Sequence, residues 1–152
     1  MRRFLIVTLA GTGLAVLAGP RGPLGGFWSP AAEAPHADGA LLGGFIAENM
    51  VENIAFGAGL AILLLGRTWF AARTASAARA TTAWLASVWL LASWMPHAAL
   101  HQHVGMHPAG LLPIEWIFHT GAIVATGALL LALWPAASGV AEPDAAAHDA
   151  VR

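Results

Sequence analysis

Residues 39–66 read GALLGGFIAENMVENIAFGAGLAILLLG. A run this long and apolar suits a helix that crosses a bilayer, for which about 20 residues suffice. It carries two carboxylates, Glu48 and Glu52, with Asn49 and Asn53 next to them. Four residues of helix turn through about 400° and rise about 6 Å, so the two acids share one face. The same i, i+4 spacing recurs in the next two apolar segments, as His97 with His101 and as Glu115 with His119. Six potential metal ligands thus stand on three helices.

The rest of the chain supports a membrane setting. With 58% hydrophobic and 10% charged residues and a mean hydropathy of +0.68, it is too apolar to solvate its own surface. The 152 residues leave room for about four spans with short connections. The expected fold is all-α, a single integral membrane four-helix bundle over residues 1–135. A net charge of −1 offers no basic footprint for nucleic acid. The absence of cysteine excludes disulfides, thiolate zinc sites and cysteine-held iron–sulfur clusters. Any metal must be held by nitrogen and oxygen.

Spans are expected at about 4–19, 40–66, 82–101 and 111–134. The first, behind Arg2 and Arg3, fits either a signal peptide or a spanning helix; it is read here as retained, with the N-terminus in the cytoplasm. Residues 20–38 hold Pro20, Pro23, Pro30 and Pro35 among glycines, a composition expected to form an extracytoplasmic loop, with Phe27 and Trp28 at the headgroups. Arg67, Arg73 and Arg79 mark a cytoplasmic loop by the positive-inside rule. Pro96 is expected to bend or end the third span where its histidines begin. Residues 102–110, with His103 and His107, form the outer connection, and residues 136–152 a disordered cytoplasmic tail. His36 and His148 are read as solvated. The result is a multi-pass protein of the cell membrane with both termini in the cytoplasm.

Depth brings the three pairs together. Counting about 20 residues back from Gly66 puts Glu48 at the outer boundary of its span and Glu52 about 8 Å inside. Similar counts put His97 about 6 Å deep with His101 at the boundary, and Glu115 and His119 about 6 and 12 Å deep. Small residues continue each stripe: Ala55 and Gly59, Ala86 and Ser93, Ala122 and Thr126. These faces are expected to point into the bundle. A charge near mid-bilayer costs on the order of 2.5–3.5 kcal/mol, less near the interface. No Lys or Arg lies in these spans to neutralise the acids, which leaves imidazolium, a bound cation or their own protons.

The expected centre has Glu48, Glu52, His97, His101, Glu115 and His119 as metal ligands, with Asn49 and Asn53 as donors behind them. Mixed N/O ligation suits iron, zinc, manganese or copper. Haem on His97 and His119 is disfavoured, because it needs no glutamates. Glu115–His119 is one residue longer than the Glu-x-x-His element of carboxylate-bridged di-iron bundles, so it carries no established signature. Trp94 and Trp116 are expected to wall the site, and the other tryptophans mostly to anchor helix ends.

The first functional reading is a metal-dependent membrane oxidoreductase, redox or oxygen-activating, acting on a lipophilic substrate or quinone. The second is a proton or cation pathway, or a pH sensor, built on the same cluster. The third is a non-catalytic accessory subunit packed against a larger membrane complex.

Overall fold

The computed structural model describes residues 1–32, 38–105 and 107–134. The expectations for the tail and for His36 and His148 lie outside these residues. Among the described residues every regular element is helical. Six α-helices are present: α1 (Arg2–Ala18), α2 (Leu42–Leu65), α3 (Arg67–Ala71), α4 (Ala77–Ala92), α5 (Trp94–Val104) and α6 (Pro108–Leu133). Two helical segments, Gly39–Leu65 and Pro108–Leu133, are long and apolar enough to cross a membrane. The first includes the single 3-10 turn Gly39–Leu41 that leads into α2. At 17 residues, α1 is short for a span.

The third expected span is two helices. Pro96 has no N–H to offer the carbonyl of Ala92, and its ring crowds that carbonyl. The regular helix accordingly stops at Ala92 and restarts at Trp94. The main-chain ladder still bridges the break, because Ser93 N–H donates to Trp89 O at 3.1 Å and His97 N–H to Ser93 O at 3.0 Å. The result is a kink rather than a loop. It lies against α2, where Gly59 sits beside Ala92.

The described parts of the connections carry helical turns and caps. The basic loop contains α3, and Ser76 caps α4 by accepting from Arg79 N–H at 3.2 Å. Arg79 then reaches across to α6, its guanidinium donating to Leu131 O at 2.7 Å and to Trp134 O. A cation on the last carbonyls of a helix satisfies acceptors that have no partner in the helix. At the other end α5 runs to Val104, and α6 starts at Pro108 in the favoured first-turn position. The outer connection is therefore shorter than 102–110. Among its described residues the proline-rich loop makes a 3-10 turn, Gly25–Trp28. It is tied down where Trp28 Nε1 donates to Ala18 O at 2.7 Å and Ala31 N–H to Gln102 O at 2.9 Å.

Packing runs from neighbour to neighbour. α1 lies along α2, α2 along α4 and α5, and those two along α6. Among the described residues no comparable contact closes α1 onto α6. The helices thus form an open row, all-helical as expected, and among the described residues two helical segments rather than four have the length and hydropathy of a span. Small residues set the spacing. A Cβ built on Gly11 would stand 2.9 Å from Gly57 Cα, so α1 and α2 touch backbone to backbone. At the arginine-rich end Phe70, Ala80, Ala83 and Ala132 form a buried cluster, with Trp84 against it. Trp84 was expected to anchor a helix end in the headgroups. It is instead partly buried, and its Nε1 donates to Ile62 O at 2.9 Å.

Candidate metal centre

α5 occupies the middle of the site, packed on α2 on one side and on α6 on the other. His97 and His101 lie one turn apart on it, and their Nε2 atoms are 3.0 Å from each other. Glu115, near the start of α6, places Oε1 3.0 Å from His101 Nε2. Its second oxygen, Oε2, is 2.9 Å from His119 Nδ1. His119 Nδ1 also lies 3.0 Å from the Glu115 carbonyl. Glu115 is thus held at both oxygens, by α5 and by its own helix.

His97, His101 and Glu115 form a group that can hold a metal ion: one ligand atom from each lies within 4.8 Å of the other two. Ligands about 2.0–2.1 Å from one tetrahedral ion stand roughly 3.3 Å apart. The two 3.0 Å contacts are close to that spacing. Protons alone serve the cluster poorly, since a neutral imidazole has a single N–H and His101 Nε2 faces both the His97 nitrogen and the Glu115 oxygen. One proton can bridge only two of these three atoms. A cation among them can bind all three.

The surroundings are partly apolar. His97 is 9% exposed, with the Trp94 ring edge-on at 5.7 Å and Phe118 at 5.0 Å. His119 lies 5.2 Å from His97 and 6.1 Å from Trp94, measured between ring centroids. Its side chain is half exposed, and it is not part of the three-ligand group. Trp116 is 71% exposed and lines a shallow hollow with Glu115, His119, Thr120 and Ile123.

Glu48 and Glu52 approach the histidines from the α2 side. They line a cavity of about 330 Å³ together with His97, His101, Asn49 and Arg21. They face the histidines across this space and lie outside the three-ligand group. Arg21 comes from the proline-rich loop, so a cation absent from every span shares the cavity with the acids. Asn53 is buried at 3% exposure and donates from Nδ2 to Asn49 Oδ1 at 3.0 Å. The asparagines thus bond each other. His103 points its Nδ1 at the carbonyls of Trp28 and Ser29 and so fastens the loop.

The interior face of α6 is not the expected stripe. Thr126 is exposed and Ala122 only half-buried, whereas Ile114, Ala125 and Ala132 are buried. Gly121 explains the rotation. It provides the gap that admits the Trp89 indole, which stacks on Phe118 at 5.8 Å and 25°. Sequence reasoning passed over Phe118 and Gly121. The signal lay in their spacing of three from Glu115 and from each other, which puts them on the face shared with Ile114. Comparison with protein-family models, curated proteins and solved structures finds no match to the chain.

Proposed function

We propose that this chain is a small multi-pass membrane protein that holds one divalent transition-metal ion on His97, His101 and Glu115. The observation that carries this reading is the trio of ligand atoms around His101 Nε2, with contacts of 3.0 Å to a nitrogen and to a carboxylate oxygen. Two imidazoles and one carboxylate, leaving further coordination positions open, are the donor set of non-haem iron(II) oxygenases and of zinc hydrolases. Metal-dependent chemistry on a bound small molecule, with iron(II) or zinc as the ion, is the activity proposed. The cavity bordering His97 and His101 supplies the space, and Glu52 and Glu48 on its far wall supply carboxylates that accept or release protons.

His119 is assigned to positioning. Its Nδ1 contact with Oε2 of Glu115 orients the carboxylate and leaves Oε1 for the ion, as carboxylates and histidines behind metal ligands do. The arginines support an orientation: Arg2, Arg3, Arg67, Arg73 and Arg79 fall at one end of the helix row and the metal site at the other, so the site faces outward. A proton or cation path across the row finds less support. Beyond the site, Trp89 stacks on Phe118, and the hydroxyls of Ser87 and Thr126 are bonded to carbonyls of their own helices.

Metal analysis of protein purified without chelator tests the proposal. One equivalent of iron or zinc is expected, falling to background in a His97→Ala, His101→Ala double variant. Absence of any stoichiometric first-row metal, together with no uptake on titration with iron(II) or zinc, would overturn it.

A further inference from the structure

The end of the row remote from the histidines contains a second and larger cleft. It has a volume of about 580 Å³ and lies between the start of α1, the end of α2 and α3. Ligand sites span roughly 300–1,000 Å³. The walls are mostly apolar, formed by Phe4, Ile62, Leu65, Trp69 and Phe70, and Arg3 is the one charged side chain among them. Arg2 precedes it, Arg67 begins α3, and Arg73 lies just past α3 with its guanidinium 4.0 Å over the Trp69 ring.

This positive charge is not balanced from within. Among the described residues Arg3 and Arg67 have no carboxylate partner. The nearest acid along α2, Glu52, is ten residues from Ile62, about 15 Å of helix. A greasy slot lined by one arginine, with further arginines near it in the chain, matches one kind of molecule, an acyl chain ending in an anionic head. Free phosphate would satisfy the arginines and leave the aromatic walls unfilled.

We propose that this cleft binds an anionic phospholipid of the cytoplasmic leaflet, with an acyl chain against Phe4, Leu65 and Trp69 and the phosphate at Arg3. Basic pockets between helices on the cytoplasmic side are suited to such headgroups. The inference depends on α2 spanning the membrane and is independent of the metal site.

Native mass spectrometry of the full chain, released from micelles doped with equal amounts of phosphatidylglycerol and phosphatidylcholine of the same acyl chains, provides the test. Phosphatidylglycerol adducts are expected to exceed phosphatidylcholine adducts by about five-fold or more, the contribution of one basic side chain at an anionic surface. Arg3→Gln should bring the ratio close to one. Arg21→Gln, an equal charge loss at the other end, should leave it unchanged. A second readout uses phosphatidylglycerol brominated on its acyl chains. It should quench tryptophan fluorescence in the natural protein, and part of that quenching should vanish in Trp69→Phe. Equal retention of the two lipids, a ratio unaffected by Arg3→Gln, or quenching unaltered by Trp69→Phe would each overturn the proposal.

Discussion

Replacing Gly121 with alanine should uncouple the metal centre while the helices remain. A Cβ at this position would stand 2.5 Å from Trp89 Cζ2 and 2.7 Å from Cε2, roughly 1 Å inside ordinary carbon contact. The indole has little freedom to yield, because it is stacked on Phe118. α6 must therefore move from α4 by about 1 Å, at an overpacking cost of roughly 1–3 kcal/mol. Glu115 lies six residues further along the same helix, about 9 Å away, and rides with it. Its 3.0 Å contact with His101 would open to about 4 Å, whereas ligand distances tolerate about ±0.2 Å. Zinc or iron(II) affinity, titrated in detergent, should fall about 10- to 100-fold, the scale seen when a ligand loses its support, with helical circular dichroism retained. Gly127→Ala is the matched control. It lies on the same helix, and a Cβ there meets nothing within 4 Å, so affinity should hold while stability rises by roughly 0.5–1 kcal/mol. Wild-type affinity in Gly121→Ala, or an equal loss in Gly127→Ala, would refute the reasoning.

Ligand and positioning roles separate by magnitude. His101→Ala, which removes the atom touching both partners, should abolish stoichiometric metal, whereas His119→Ala should weaken binding about 10- to 100-fold and leave one ion bound at saturation. Equal effects of the two would show that His119 is itself a ligand. Arg79→Gln should release the carbonyls of Leu131 and Trp134. Faster amide exchange over the last turn of α6, with destabilisation of about 1 kcal/mol, is the expected outcome, and unchanged exchange there would argue against the cap.

The spacing of the pairs made much of the site legible. His97 with His101 and Glu115 with His119 could be paired from i, i+4 geometry and depth alone, since both follow from helix rise. The position of α2 relative to α5 could not be read the same way. Glu48 and Glu52 share a cavity with the histidines, and the approach of the two helices rests on Gly59 beside Ala92, a contact with no signature in hydropathy. The stripe through Ala122 and Thr126 misled because small residues mark close approach only when a partner fills the gap, and on α6 that partner is Trp89, opposite Gly121. The four-helix bundle was inferred from length and composition, which specify neither how many helices span nor which are neighbours.

The open row has a consequence for what can reach the centre. A helix in a closed bundle presents its inner face to other helices alone, whereas here α5 borders a chamber lined with carboxylates and amides on its α2 side, and Glu115 and His119 on α6 border a hollow shared with Trp116 and Ile123. The centre is thus open on two sides. A molecule entering either opening therefore meets a side chain of the three-ligand group, His97 or His101 in the chamber and Glu115 in the hollow.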